Sequence, residues 1–103
     1  MSPIKSVIKE ELANSYKLQK SYERELKKLP RGSLVRKNIS GHVYYYLALR
    51  DGKKVKYIYK GKLSAKEVKK YEQIKKARKK YRALLSETKK QISFLERSLK
   101  IGS

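Results

Sequence analysis

The chain has 103 residues, with 29 Lys and Arg against 9 Asp and Glu, and a formal net charge of +20. Charged residues make up 37%, where about 25% is usual for a globular domain. So large a charge opposes compaction unless a polyanion neutralises it, which favours nucleic acid or another anionic surface as partner. The length fits a single domain over 1–103, whose thin core argues against a deep apolar pocket and a self-contained enzyme. The absence of Cys excludes disulfides, thiolate zinc sites, iron–sulfur clusters and cysteine nucleophiles. One His and scattered carboxylates supply no metal-ligand set, so neither a metal, a cofactor nor a catalytic residue is assigned. No apolar leader precedes the first charges and no stretch approaches the roughly 18 apolar residues of a membrane span, so a cytoplasmic protein is expected.

In chain order, residues 1–30 read as a helix. Ser2 is placed to cap it and Pro3 to occupy its first position. Ile4, Val7, Ile8, Leu12, Leu18, Tyr22, Leu26 and Leu29 recur at helical spacing, although the stripe drifts around the cylinder. Pro30 ends the run. Residues 33–62 change to a period of two and are rich in β-branched and aromatic side chains. Ser40-Gly41 and Asp51-Gly52 divide them into three strands, and Asp-Gly is a strong hairpin signal. Residues 64–100 read as one long helix, about 55 Å at ~1.5 Å per residue. It opens on Ser64 and Glu67, spaced as a capping box. The expected class is α+β: a helix, a three-stranded antiparallel meander and a long basic amphipathic helix.

The charge is unevenly placed. Residues 1–30 carry +3, residues 31–63 carry +8 and residues 64–103 carry +9. On the last helix, Ile74, Ala77, Tyr81, Leu84, Leu85, Thr88, Ile92, Leu95 and Leu99 fall in an arc roughly 100° wide. Between 75 and 82 stand Lys75, Lys76, Arg78, Lys79, Lys80 and Arg82, interrupted only by Ala77 and Tyr81 on the apolar arc. Phosphates along a nucleic acid would relieve the mutual repulsion of these cations and release counterions. The competing explanation is a solvated face on a packed helix.

In the meander, two-residue loops pair Ile39 with His42 and Arg50 with Lys53. One face then holds Val35, Ile39, Tyr44, Tyr46, Ala48, Val55, Tyr57 and Tyr59, and is assigned to the core. The other holds Leu34, Arg36, Val43, Tyr45, Leu47, Leu49, Lys54, Lys56, Ile58 and Lys60. Its apolar centre between cationic flanks suits docking on a groove, with Lys and Arg reaching phosphates. The alternative is that both faces are buried, with Lys stems snorkelling outwards. Tyr45, on the cationic face, is the leading candidate to stack on an unpaired base, while the other strand tyrosines read as core. Arg50, Lys53 and Lys62 complete the cationic set around the sheet. His42 follows a tight turn without a ligand set around it.

The stretch from Gly32-Ser33-Leu34-Val35 through Gly41, Tyr44-Tyr45-Tyr46-Leu47 and Gly52-Lys53 to Tyr59-Lys60-Gly61 resembles a core that recurs in small uncharacterised prokaryotic proteins. More loosely, it is similar to the three-stranded arm-type DNA-binding domain of phage and transposon tyrosine integrases. That domain packs a sheet on one helix and lays the sheet in the major groove. The resemblance implies that Arg36, Tyr45, Lys54 and Lys56 face DNA, and the long flanking helices set this chain apart from an integrase fragment. Three functions are therefore carried forward. The first is non-enzymatic binding of DNA or RNA, with self-association through the helices, whose stripe resembles a broken heptad. The second is an accessory or inhibitory factor of a nucleoprotein complex. The third, least favoured because the sheet competes for the apolar arc, is binding to an anionic membrane surface.

Overall fold

The computed structural model describes residues 3–101 and has an α+β fold. Its elements are α1 (Pro3–Lys28), β1 (Ser33–Ile39), β2 (His42–Asp51), β3 (Lys54–Gly61) and α2 (Ala65–Ile101). Pro3 is the first residue of α1; the cap expected at Ser2 lies outside the described residues. The helix stops at Lys28, because Pro30 disfavours helical backbone at Leu29 before it. At the start of α2, the Glu67 backbone N–H donates to Ser64 Oγ at 3.2 Å, and Ser64 Oγ donates to Glu67 Oε1 at 3.2 Å. The expected cap is thus formed, and it satisfies a backbone donor that no preceding turn could reach.

The chain divides into two compact units, Met1–Lys28 with Arg78–Ser103, and Leu29–Ala77. The first is an antiparallel helical hairpin. Leu12 of α1 packs with Ile92 and Leu95 of α2, each only 7% exposed, and Ile8 and Leu99 flank them. Further along, the rings of Tyr22 and Tyr81 lie 6.2 Å apart. Among the half-buried and buried positions of α1, 8, 12, 15, 19, 22 and 26 alternate steps of four and three as a helix–helix seam does, and 5, 21 and 25 are half-buried beside them. Ile4, Val7 and Leu18 are exposed. The drift of the apolar stripe is therefore the sum of a regular seam and three residues outside it. On α2 the residues of the expected arc from Tyr81 to Leu99 are all buried or half-buried. Thr88, buried among them, donates to the Leu84 carbonyl at 2.8 Å, so its hydroxyl is satisfied within its own helix.

The second unit is the meander, in strand order β1-β2-β3, with residues 65–77 of α2. Ser40 (φ 51°) and Gly41 (φ 80°) form the first turn. Two left-handed residues give the twist that a two-residue hairpin needs, and Ile39 pairs with His42 as expected. The second turn differs from expectation. Its loop is Gly52-Lys53, not Asp51-Gly52, so Asp51 pairs with Lys54 and Arg50 with Val55. Gly52 (φ 62°) thereby takes the first central position, where a hairpin turn with a single left-handed residue requires glycine. The pairing slides by two positions, setting Tyr46 opposite Tyr59. An even shift leaves each side chain on its expected face. The ladder breaks between Tyr45 and Tyr46, where β3 accommodates Lys60 before Gly61 pairs with Tyr45.

The assignment of the faces is reversed. Leu34, Arg36 and Tyr45 line a groove together with Val68, Tyr71, Glu72 and Lys75 of α2. The face read as a DNA-docking surface is therefore the one the helix covers. Gly32 closes the same side: a Cβ at this position would stand 2.9 Å from side-chain carbons of Leu47 and Leu49. The face assigned to the core is the more open one, with Tyr57 61% and Tyr59 58% exposed and Ile39 and Val55 also exposed, while Val35, Tyr44, Tyr46 and Ala48 are half-buried; on the other face, Ile58 of β3 is exposed as well. The physical reason lies in the kind of apolar side chain. The covered face carries the aliphatic Leu34, Val43, Leu47 and Leu49, which have no polar atom. The open face carries tyrosines, whose hydroxyls tolerate water.

Candidate functional site

The open sheet face is built by rows of side chains that run across the strands. Val35, Tyr46 and Tyr59 form one row across the strands, and Ser33, Ala48 and Tyr57 form the next. Lys37 pairs with Tyr44 at the end near the first turn. The ring of Tyr59 lies 5.2 Å from that of Tyr46 and 6.3 Å from that of Tyr44, tilted by 59° and 41°. At these distances and tilts the rings are in aromatic contact without being stacked parallel. With Ile39 they line a shallow depression. Lys37 Nζ stands 5.3 Å from the centroid of the Tyr46 ring, a cation–π distance. At the other end of the face is Arg50, paired with Val55 and exposed. Its carbonyl accepts a hydrogen bond from Arg31 Nη2 at 2.8 Å, which ties the segment entering β1 to the end of β2.

The sequence-predicted residues are placed as follows. Arg36 is exposed and Tyr45 half-buried, and both line grooves beside α2. Tyr45, half-buried like Tyr44 and Tyr46, thus lies on the face beside α2 and not on the open one. Lys54 and Lys56 are exposed on that same side, and Lys56 Nζ lies 2.9 Å from Asp51 Oδ2 in an exposed ion pair. Arg50 belongs to the open face, Lys53 to the second turn, Lys60 to the break in the ladder, and Lys62 to the segment before α2. On α2, Lys75 and Lys76 are exposed in the sheet unit. Lys79, Lys80 and Arg82 are exposed in the helical hairpin, and Arg78 is half-buried there.

Sequence reasoning did not single out Lys37, and of the strand tyrosines it read as core, Tyr57 and Tyr59 are exposed while Tyr44 and Tyr46 are half-buried. A signal for Lys37 was present: it shares the parity of Val35 and Ile39, so it had to stand among the tyrosines.

Electrostatically, the sheet unit holds fourteen Lys and Arg and three Asp and Glu. Its own carboxylates can compensate at most three of these cations. Among the described residues no cluster of His, Asp and Glu could hold a metal ion. No helix of the described residues is long and apolar enough to cross a membrane. Compared with protein-family models, with curated proteins and with solved structures, the chain matches none.

Proposed function

We propose that the protein binds nucleic acid without transforming it chemically. The sheet unit supplies the main surface and the cations of α2 add phosphate contacts. The observation that carries this reading is the open face of the sheet, where exposed tyrosine rings stand between Lys37 and Arg50. The excess of eleven positive charges on the same unit adds to it. A purely solvated cationic surface would need no aromatic rings. A surface meant only for an apolar partner would not be flanked by uncompensated cations. Polyanions bearing flat bases satisfy both features, since phosphates meet the cations and release counterions while the rings meet the bases. The resemblance of residues 32–61 to the arm-type domain of tyrosine integrases also implies binding to DNA, but through the opposite face, which carries Arg36, Tyr45, Lys54 and Lys56. The reading places the contact on the open face and moves it from the Arg36–Tyr45 side.

The test is a titration of the purified protein against labelled single-stranded and duplex oligonucleotides, followed by fluorescence anisotropy at several salt concentrations. Binding that weakens as a steep power of salt concentration is expected. No binding to either probe at low salt would overturn the proposal.

A further inference from the structure

Among nucleic acids, the chemistry of the open face discriminates by strand state. A duplex offers phosphates on its outside and base edges in its grooves, and these are read by forked or amide donors. Along β1, β2 and β3 the open face presents four tyrosine rings, and of side chains with cationic donors only Lys37 and Arg50 on the strands themselves. Such rings have their strongest use against the π-face of a base, which is accessible only when the base is unpaired. The relief of the face fits that use. Tyr44, Tyr46 and Tyr59 with Ile39 line a depression, and Lys37 stands at its border over Tyr46. In the neighbouring row the Tyr57 ring adjoins the small side chain of Ala48, so one flank of the ring is not filled from β2.

We infer that this face is a stacking platform for single-stranded nucleic acid. One unpaired base would enter the depression beside Tyr59, a second would lie on Tyr57 above Ala48, and Lys37 and Arg50 would take the flanking phosphates. The inference rests on the proposal that the protein binds nucleic acid, and it names the form that is bound.

The experiment compares the full chain with two double variants, Tyr57→Leu with Tyr59→Leu and Tyr57→Phe with Tyr59→Phe. The probes are a labelled oligothymidylate of about 20 nucleotides and a duplex of the same length, long enough to cover a single-strand site. The Phe pair keeps the rings and loses only the hydroxyls, so it should bind the single strand like the parent chain. The Leu pair should lose about tenfold or more in single-strand affinity, the scale of losing ring–base stacking. Its salt dependence should be unchanged, because no phosphate contact is removed. Tyrosine fluorescence, which no Trp masks in this chain, should be quenched on binding in the parent chain and less so in the Leu pair.

Equal affinity for duplex and single strand, or a Leu pair that binds the single strand as the parent does, would overturn the platform while leaving nucleic-acid binding in place. Failure of the parent chain to bind either probe would overturn the underlying proposal as well. If circular dichroism shows that the Leu pair has lost its fold, the single variant Tyr57→Leu, at the most exposed of these rings, carries the same comparison.

Discussion

Replacing Lys37, Arg50 and Lys53 together by Gln removes three positive charges from the open sheet face and the turn beside it. Replacing Arg24, Lys27 and Lys28 by Gln removes the same number from α1. The two triple variants have the same net charge, so any long-range attraction that depends only on total charge falls equally in both. Local phosphate contacts do not. Each contact with a single strand contributes about 0.7 to the slope of log affinity against log salt. If all three sheet-face cations make such contacts, the slope should fall by about 2. Over a fourfold increase in salt, the parent chain should then lose roughly 20-fold more affinity than this variant. The α1 triple should keep the parental slope, and its one observed ion pair, Lys28 with Glu25 at 3.2 Å, is exposed and contributes little to stability. Anisotropy titrations of both variants at matched salt concentrations give the slopes directly. Equal slopes in the two triples would refute the placement of the contact on the open face and leave only diffuse charge attraction.

Three further outcomes test the framework that holds this face. Gly32→Ala should cost about 2–4 kcal/mol, because φ at 103° is strained for an L residue and the new methyl would overlap Leu47 and Leu49. Gly41→Ala, also at positive φ but with nothing within 4 Å, should cost only about 1 kcal/mol, and thermal unfolding of both variants makes the comparison. Leu12→Ala removes a side chain from the three-residue core of the helical hairpin and should cost about 2–4 kcal/mol in denaturant unfolding, whereas Leu18→Ala, at an exposed position, should stay within about 0.5 kcal/mol. Tyr16 donates its phenolic hydrogen to Glu96 Oε1 at 3.0 Å. That bond first, with desolvation and the carboxylate's charge, holds its pKa above the ordinary value of 10.0. The stability from this contact is therefore complete below the unfolded pKa and is lost as pH rises through the folded one. A spectrophotometric tyrosinate titration should show one phenol of the parent chain shifting towards the ordinary range in Glu96→Gln, and identical curves would refute the assignment.

Local chemistry made the elements legible. Pro30, the Ser64–Glu67 pair and the two Gly-containing turns act within four residues of themselves, so their effects are readable without the fold. The choice of sheet face is not local. Period two sorts Tyr44, Tyr46, Tyr57 and Tyr59 from Leu34, Leu47 and Leu49, but it does not say which set α2 will cover. That depends on Val68 and Tyr71 meeting the Leu34–Tyr45 side, a long-range match. Counting apolar residues favoured the tyrosine face for the core. Weighting them by the polar hydroxyl of Tyr would have favoured the aliphatic face. The second turn shows a smaller version of the same limit. Asp-Gly marked the hairpin correctly, yet the single left-handed position belonged to Gly52 as the first loop residue, and the sequence pair alone does not distinguish the two settings.

Part of the positive charge has a structural use that the functional reading must exceed. A three-stranded meander has two edges, and an unprotected edge invites pairing with another chain. Arg36 and Lys37 on β1 and Lys54, Lys56 and Lys60 on β3 place cations along both edges, which discourages such pairing. Edge protection accounts for these five positions, but it does not account for Arg50 on the central strand. Nor does it explain Lys53 and Lys62 in the connections, or Lys66, Lys69, Lys70, Lys75 and Lys76 on the part of α2 that belongs to the same unit. Edge protection also needs no aromatic rings. The central strand is where a residue is least needed against aggregation and best placed to meet a ligand, and there Arg50 stands in line with Tyr46 and Tyr44 on the open face. The contribution of Arg50 to the salt slope, read from the single variant Arg50→Gln, is therefore the most selective measure of function. A fall of about 0.7 in slope on a single strand marks a phosphate contact that no structural demand on the sheet requires, and an unchanged slope would return the charge of this unit to edge protection and solubility.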